Sequence, residues 1–251
     1  MDDLAGFVAP RGCALGRPLI LAAVTGSTND DARRLAGAGC GHGTVVLADR
    51  QTAGRGRLGR TWHAEPGENL SFSIVWREGL RTPSLGTFAL AAGLGVAEAL
   101  DAFVPSPTTV KWPNDVRVGG HKVAGLLAEA VFRGDVPGAV IVGVGINVRG
   151  TRFPEEIAAR ATSLALASGR DVARADVLAA VLLALDGTLG SLAREGFGGL
   201  LRRLVARCDT LGSAVRVGDV AGVAEGIDAG GALLVRDAAG ELHAVTSGEV
   251  C

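Results

Sequence analysis

Gly54-Arg55-Gly56-Arg57-Leu58-Gly59-Arg60 sets three arginines among three glycines, with Leu58 its one hydrophobic residue and no acidic group to neutralise the charge. Glycine is costly inside a helix or a central strand and guanidinium groups resist burial, so the heptad reads as a loop. Working outward, residues 44–48 are rich in β-branched side chains and residues 69–76 alternate, so the loop joins two strands of a sheet. The heptad suits a polyanion. Glycine permits close backbone approach, and arginine forks pair with phosphate or carboxylate oxygens. In isolation, a solvated basic loop or an Arg-Gly segment that binds nucleic acid explains it equally well.

Further out, residues 19–24 read as a short buried strand. Ser27 and Thr28 are good helix N-caps, Asp30 and Asp31 follow where the helix dipole favours acid, and helical spacing runs to about Gly37. Residues 83–103 read as a helix, and 110–112 and 115–118 as strands flanking a Pro-Asn turn. Gly119-Gly120 makes a hairpin into a long apolar strand over 122–132, and a second apolar strand over 139–148 contains Asn147 near its end. Residues 171–192 and 198–207 are expected to be helical. Beyond Leu211 the texture changes to short strands at 215–217, 220–227, 232–235 and 242–245, separated by glycine-containing turns. That is the pattern of a small all-β barrel of about forty residues. The expected division is 1–210 and 211–251.

The chain has 251 residues, a formal net charge of −1, 48% hydrophobic and 20% charged residues, so any basic site is local. No apolar run reaches the ~18 residues that span a bilayer. Met1-Asp2-Asp3 does not begin a signal peptide, and the expected location is the cytoplasm. Cys13, Cys40, Cys208 and Cys251 lie far apart and form no CxxC pair, so they read as unpaired thiols. Only two lysines, Lys111 and Lys122, stand against 23 arginines. Where arginine replaces lysine so freely, two retained lysines point to positions that use a compact ammonium.

Four segments carry polar groups out of keeping with their surroundings. They are Ser27-Thr28-Asn29; the extended loop from Gln51 to Trp62; Lys111-Trp112-Pro113-Asn114-Asp115 continuing through Lys122-Val123-Ala124-Gly125-Leu126-Leu127-Ala128-Glu129; and Gly143-Val144-Gly145-Ile146-Asn147. In this order they closely resemble the motifs of the biotin protein ligases, the biotin–[acetyl-CoA-carboxylase] ligases. The resemblance spans about residues 17 to 150, and the C-terminal barrel is similar to that family's SH3-like domain.

The resemblance implies an α+β fold, a mixed sheet with flanking helices similar to the class II aminoacyl-tRNA synthetases, plus the small barrel. It implies a two-step reaction. Biotin carboxylate attacks the α-phosphate of ATP to give biotinoyl-5′-AMP and pyrophosphate, and a lysine of a biotin carboxyl carrier protein then takes the biotinoyl group. Ser27, Thr28, Asn29, Gln51, Gly54, Arg55, Gly56, Arg57, Lys122 and Gly125 are the expected biotin-side residues. Arg57, Arg60, Trp62, Asn114, Lys122 and Asn147 are the expected nucleotide-side residues. An anionic carboxylate meeting an anionic triphosphate needs fixed positive charge, which makes Lys122 and Arg57 the expected catalytic residues, in an electrostatic sense. Mg²⁺ is expected with ATP, and spacing identifies no ligands for it.

Trp112 is expected in the core, and Asp115 fits either hydrogen-bond support or a metal contact. Two rival readings are a lipoate–protein ligase, which shares the sheet and the adenylation step, and a biotin-responsive DNA-binding regulator. About sixteen residues precede the first strand, too few for a helix-turn-helix. The expectation is therefore the monofunctional type, with no specific DNA and no membrane as partners.

Overall fold

Apolar runs of the sequence become the strands of one large sheet. The computed structural model describes residues 2–80 and 84–251. In chain order these form β1 (Leu19–Thr25), α1 (Thr28–Gly37), β2 (Val45–Gln51), β3 (Leu70–Trp76), α2 (Leu85–Leu100), β4 (Thr109–Lys111), β5 (Asp115–Val118), β6 (His121–Arg133) and β7 (Val136–Ile146). There follow α3 (Glu155–Ala158), α4 (Leu164–Ser168), α5 (Arg174–Glu195), α6 (Gly198–Val205), β8 (Ala214–Val217), β9 (Val220–Ile227), β10 (Leu233–Arg236) and β11 (Leu242–Val245). The large sheet has the order β1-β2-β3-β7-β6-β5-β4. Its β1–β2 pair is parallel and the others are antiparallel.

Side chains alternate across a strand, so each face has its own composition. Phe72, Ile74, Val142, Val144 and Leu126 point into the main core with residues of α2 and α5. On the other face Ala32 and Ala36 of α1 pack on Val46, Val75, Ala139 and Ile141. The helix α2 is apolar on nearly every side, as a helix enclosed between sheet and helix must be. By length and composition alone Leu85–Phe103 and Arg174–Glu195 could cross a membrane, but 72% and 50% of their apolar windows are buried inside the protein.

Other local expectations also change. The first strand is not buried. Among the described residues it pairs only with β2, and Ile20, Leu21 and Val24 are exposed. Ser27 takes the extended N-cap conformation of α1, yet its side chain makes no capping bond. The expected helix start at Pro83 lies outside the described residues, and α3 and α4 are too short to register as periodicity.

The C-terminal sheet, β11-β10-β9-β8, is antiparallel throughout. Its Val215, Val217, Leu233 and Val235 belong to the same hydrophobic cluster as the large sheet. Trp112 is buried as expected, and its indole N–H donates to the Gly231 carbonyl at 3.0 Å. Arg216 and Cys251 exchange backbone hydrogen bonds, which brings residues 248–250 back to the arginine loop. All four cysteines are free.

Arg174 is a fully buried guanidinium at the start of α5. It pairs with Asp3, with Asp49 at 2.9 Å and with the Asn69 carbonyl at 3.1 Å. Its hydrogen bond holds Asp3 below the ordinary carboxylate range, and Asp49 is also lowered, burial opposing the shift and the same guanidinium contributing to it. Arg174→Met takes a buried cation away from both carboxylates and is expected to cost about 3 kcal/mol at neutral pH. Depressed carboxylates contribute stability above their unfolded-state pKa and lose it as pH falls through the folded-state value. The gap between variant and wild type in urea titrations should therefore shrink on acidification below about pH 4. An equal gap at pH 7 and pH 3 would show that the ion pairs contribute nothing.

A cleft on a glycine floor

Glycines on one face of β6 and β7 make room for the site. Gly125 sits opposite Gly145 in register, and Gly143 opposite Leu127, all on the α1 side of the sheet. A Cβ at Gly145 would stand 2.3 Å from Cε2 of Trp62, and one at Gly143 would stand 2.3 Å from Oδ1 of Asn29. At Gly125 it would meet Lys122 Nζ at 3.1 Å and Trp62 at 3.2 Å. Over this floor lies a cleft of about 520 Å³, roofed by the arginine loop.

One end of the cleft is polar and neutral. Ser27, Thr28 and Asn29 stand where β1 hands over to α1, each at most 4% exposed. The backbone N–H of Thr28 donates to Oε1 of Gln51 at 2.8 Å, and its hydroxyl lies 3.2 Å from the same oxygen and 2.7 Å from Oγ of Ser73. Ser73 Oγ is 2.5 Å from Asn29 Oδ1, and Asn29 Nδ2 donates to Glu129. Sequence reasoning missed Ser73, although Ser71 and Ser73 are two hydroxyls alternating in an apolar strand, which was the available signal.

The other end is cationic. Lys122 Nζ lies 2.7 Å from Asp115 Oδ1 and 5.7 Å from the centre of the Trp62 ring. Arg57 donates to Asn114 Oδ1 at 3.3 Å and to the Gly248 carbonyl at 3.5 Å. Burial pulls its guanidinium below the usual arginine range. The three loop arginines differ in a way the sequence does not show. Arg55 is bidentate to Asp30 at 2.6 and 2.7 Å, an arrangement that raises the arginine and lowers the aspartate. Arg60 pairs with Glu249. Among the described residues Arg57 has no carboxylate within ion-pairing distance, so it is the loop arginine whose charge remains to be matched.

Residues 21–147 match the Biotin/lipoate A/B protein ligase family, and residues 210–251 match the Biotin protein ligase C terminal domain. This chain belongs to the biotin/lipoate protein ligase family. It is 38% identical over 245 residues to the Biotin--[acetyl-CoA-carboxylase] ligase of Mycobacterium tuberculosis, covering 93% of this chain and 88% of that protein. It is 34% identical to the Bifunctional ligase/repressor BirA of Bacillus subtilis over 227 residues, 88% of this chain and 70% of that protein. Among solved structures, the biotin protein ligase from Aquifex aeolicus in complex with biotin and ATP superposes with a TM-score of 0.81. That pair shares 34% identity over 93% of this chain and 97% of that one. The fold is accordingly that of a biotin ligase catalytic domain with a small SH3-like C-terminal domain.

Within this ligase-family fold, the cleft brings together Ser27, Thr28, Asn29, Gln51, Arg55, Gly56, Arg57, Arg60, Trp62, Asn114, Lys122, Gly125 and Asn147. Gly54 is the exception. It does not line the cleft, and a Cβ there would meet the Trp62 carbonyl at 2.9 Å. Asn114 Nδ2 donates to the Leu126 carbonyl and Asn147 Nδ2 to the Thr162 carbonyl, both at 2.9 Å, so each amide also braces backbone around the cleft. The indole N–H of Trp62 is buried and has no hydrogen-bond partner among the described residues. Sequence reasoning missed Phe153, Ile157 and Arg160 on the wall, and also residues 248–250. Lys111, whose ammonium burial pulls down, reaches the Val250 carbonyl at 2.8 Å and so anchors that last segment.

Cleft carboxylates that face the cationic end are Asp115, Glu156 and Glu249. A tighter trio of metal-ligand type, Asp237, Glu241 and His243, lies on the β10–β11 hairpin and does not line the cleft.

Proposed function

We propose that this protein is an ATP-dependent biotin ligase that makes biotinoyl-5′-AMP and transfers the biotinoyl group to a lysine of a biotin carboxyl carrier protein. The observation that carries the reading is the placement, on one glycine floor, of a neutral polar pocket and a cationic end whose Arg57 has no carboxylate partner among the described residues. A ureido ring needs hydrogen-bonding groups in an apolar setting, and Thr28 and Gln51 offer them. The alkyl chain of biotin needs a flat apolar bed, and Gly125, Gly145 and the Trp62 face offer it. The carboxylate then arrives beside Lys122 and Arg57.

In the first step a carboxylate oxygen of biotin attacks the α-phosphorus, and pyrophosphate leaves with the bonding pair of the broken P–O bond. Lys122 and Arg57 oppose the repulsion between the two anions and stabilise charge on the phosphoryl oxygens. Arg60, Trp62, Asn114 and Asn147 complete the nucleotide side, with the orphaned indole N–H of Trp62 as a donor. Mg²⁺ would travel with the triphosphate and offset its charge. In the second step a neutral lysine amine attacks the acyl carbon, AMP departs, and the nitrogen loses a proton. The carrier, the cytoplasmic setting and a domain boundary at 210/211 belong to this proposal.

The test is pyrophosphate release from biotin and ATP without any carrier. Biotin-dependent release is expected. Release that needs lipoate instead, or none with either acid, overturns the reading.

The loop is held to the body by exposed ion pairs, and its Leu58 is 72% exposed with a left-handed φ of 55°. Such a segment opens at low cost. Trypsin should cut after Arg55, Arg57 or Arg60 in the free protein, and biotin with ATP should suppress the cleavage by closing the loop over the adenylate. Equal cleavage rates with and without ligands would contradict the closure.

A further inference from the structure

We infer that Glu129 is a positioning residue that sets the hydrogen-bond polarity of the ureido pocket from outside it, acting through Asn29 and Ser73. The inference rests on the biotin reading above and adds the reason for its ligand preference. Glu129 projects from β6 on the α1 side of the sheet, and neither it nor Ser73 lines the cleft. Its carboxylate takes the Arg33 guanidinium at 2.7 Å on one oxygen and the Asn29 amide at 2.5 Å on the other, with Arg55 at 3.8 Å from the second.

An ionised carboxylate only accepts hydrogen bonds, so the NH₂ of Asn29 must face Glu129 and its Oδ1 must face Ser73. That oxygen carries no hydrogen, so the 2.5 Å contact is made with the hydroxyl proton of Ser73. Ser73 then has no proton left for Thr28. The 2.7 Å contact between their oxygens is therefore made with the proton of Thr28. Gln51 Oε1, already accepting from the Thr28 N–H, is left 3.2 Å from Thr28 Oγ1 with no proton between them.

Thr28 and Gln51 both line the cleft. Two acceptor oxygens side by side on its wall form a receptor for an N–H donor, the group a cyclic urea presents and a dithiolane ring lacks. Ser73, Asn29 and Thr28 are all buried, and a mismatched hydrogen bond there costs more than at the surface, so the chain settles in this one direction.

Glu129→Gln has a definite consequence. A single amide oxygen must serve Arg33, so its NH₂ turns toward Asn29. The Asn29 amide then turns over, Ser73 donates to Thr28, and Thr28 donates to Gln51, which fills the receptor from within. Ser73→Ala reaches the same end state, because it frees the Thr28 proton for Gln51.

Calorimetric biotin binding without ATP, together with steady-state pyrophosphate release, tests this. Each single variant should weaken biotin about tenfold, the loss of one buried hydrogen-bond match. The double variant should be no weaker than either single one, because both break the same chain. The KM for ATP, and kcat at saturating biotin, should stay within about threefold of wild type, which a general loosening of the fold would not allow. Unchanged biotin affinity in either single variant, or losses that add in the double variant, would overturn the inference. Should Glu129→Gln fail to fold, Ser73→Ala decides alone, since it removes one buried atom and no charge. A wild-type protein that does not bind biotin overturns the underlying reading instead.

Discussion

Lys122→Ala should lower biotin-dependent pyrophosphate release by about a thousandfold while leaving the fold intact, since losing one transition-state contact of this kind costs roughly 3–4 kcal/mol. The ammonium sits beside Asp115 at 2.7 Å, so its removal does more than delete a cation. It leaves a carboxylate facing a site that must gather a carboxylate and a triphosphate. The loss should fall on kcat and kcat/KM alike, because the repulsion peaks as the oxygen closes on phosphorus. Lys122→Arg should rescue only partly, since a planar fork cannot replace a point charge above Gly125. The measurement is biotin-dependent exchange of labelled pyrophosphate into ATP. Wild-type exchange by the alanine variant would remove Lys122 from the mechanism.

Gly145→Ala should lower kcat/KM for ATP by about a hundredfold, the scale expected for a displacement of about 1 Å at a reacting site. The added methyl would stand 2.3 Å from the Trp62 ring, against the ~3.5–4.0 Å at which carbon atoms pack. The strand cannot yield, because β7 is paired on both sides, so the indole and the loop that carries it must move. Stability should change little, since alanine in a strand interior recovers about 0.5–1 kcal/mol of the entropy that glycine forfeits. A stable variant with impaired nucleotide use is the expected pair of results. Normal ATP kinetics would show that Trp62 has no part on the nucleotide side.

Much of the site was legible because its chemistry is local in sequence. Gly54 to Arg60 concentrates three charges in seven residues, and Lys111 to Asp115 and Lys122 to Glu129 are contiguous strings on neighbouring strands of the sheet. Strand periodicity likewise gave β3, β6 and β7 within a few residues, since long apolar runs bounded by turns leave few alternatives. What stayed hidden was pairing at a distance. Asp30 neutralises Arg55 and Glu249 neutralises Arg60, so two of three seemingly equivalent arginines are matched before any ligand arrives. No spacing rule joins positions 189 residues apart. The first strand was misread for a related reason. Leu19–Thr25 has the composition of a buried strand, but burial depends on how many neighbours the sheet gives it, and β1 has one.

The sequence by itself determined the long elements and most of the polar inventory of the cleft, because propensity, alternation and motif chemistry act over short stretches of chain. Only the tertiary structure decided which charges remain unmatched, which glycines are steric necessities, and which way the hydrogen bonds run from Glu129 to Thr28. Those are properties of approach between segments. A proton on Ser73 has a direction only once β3, β6 and α1 have brought an acceptor to one side of it and a second hydroxyl to the other.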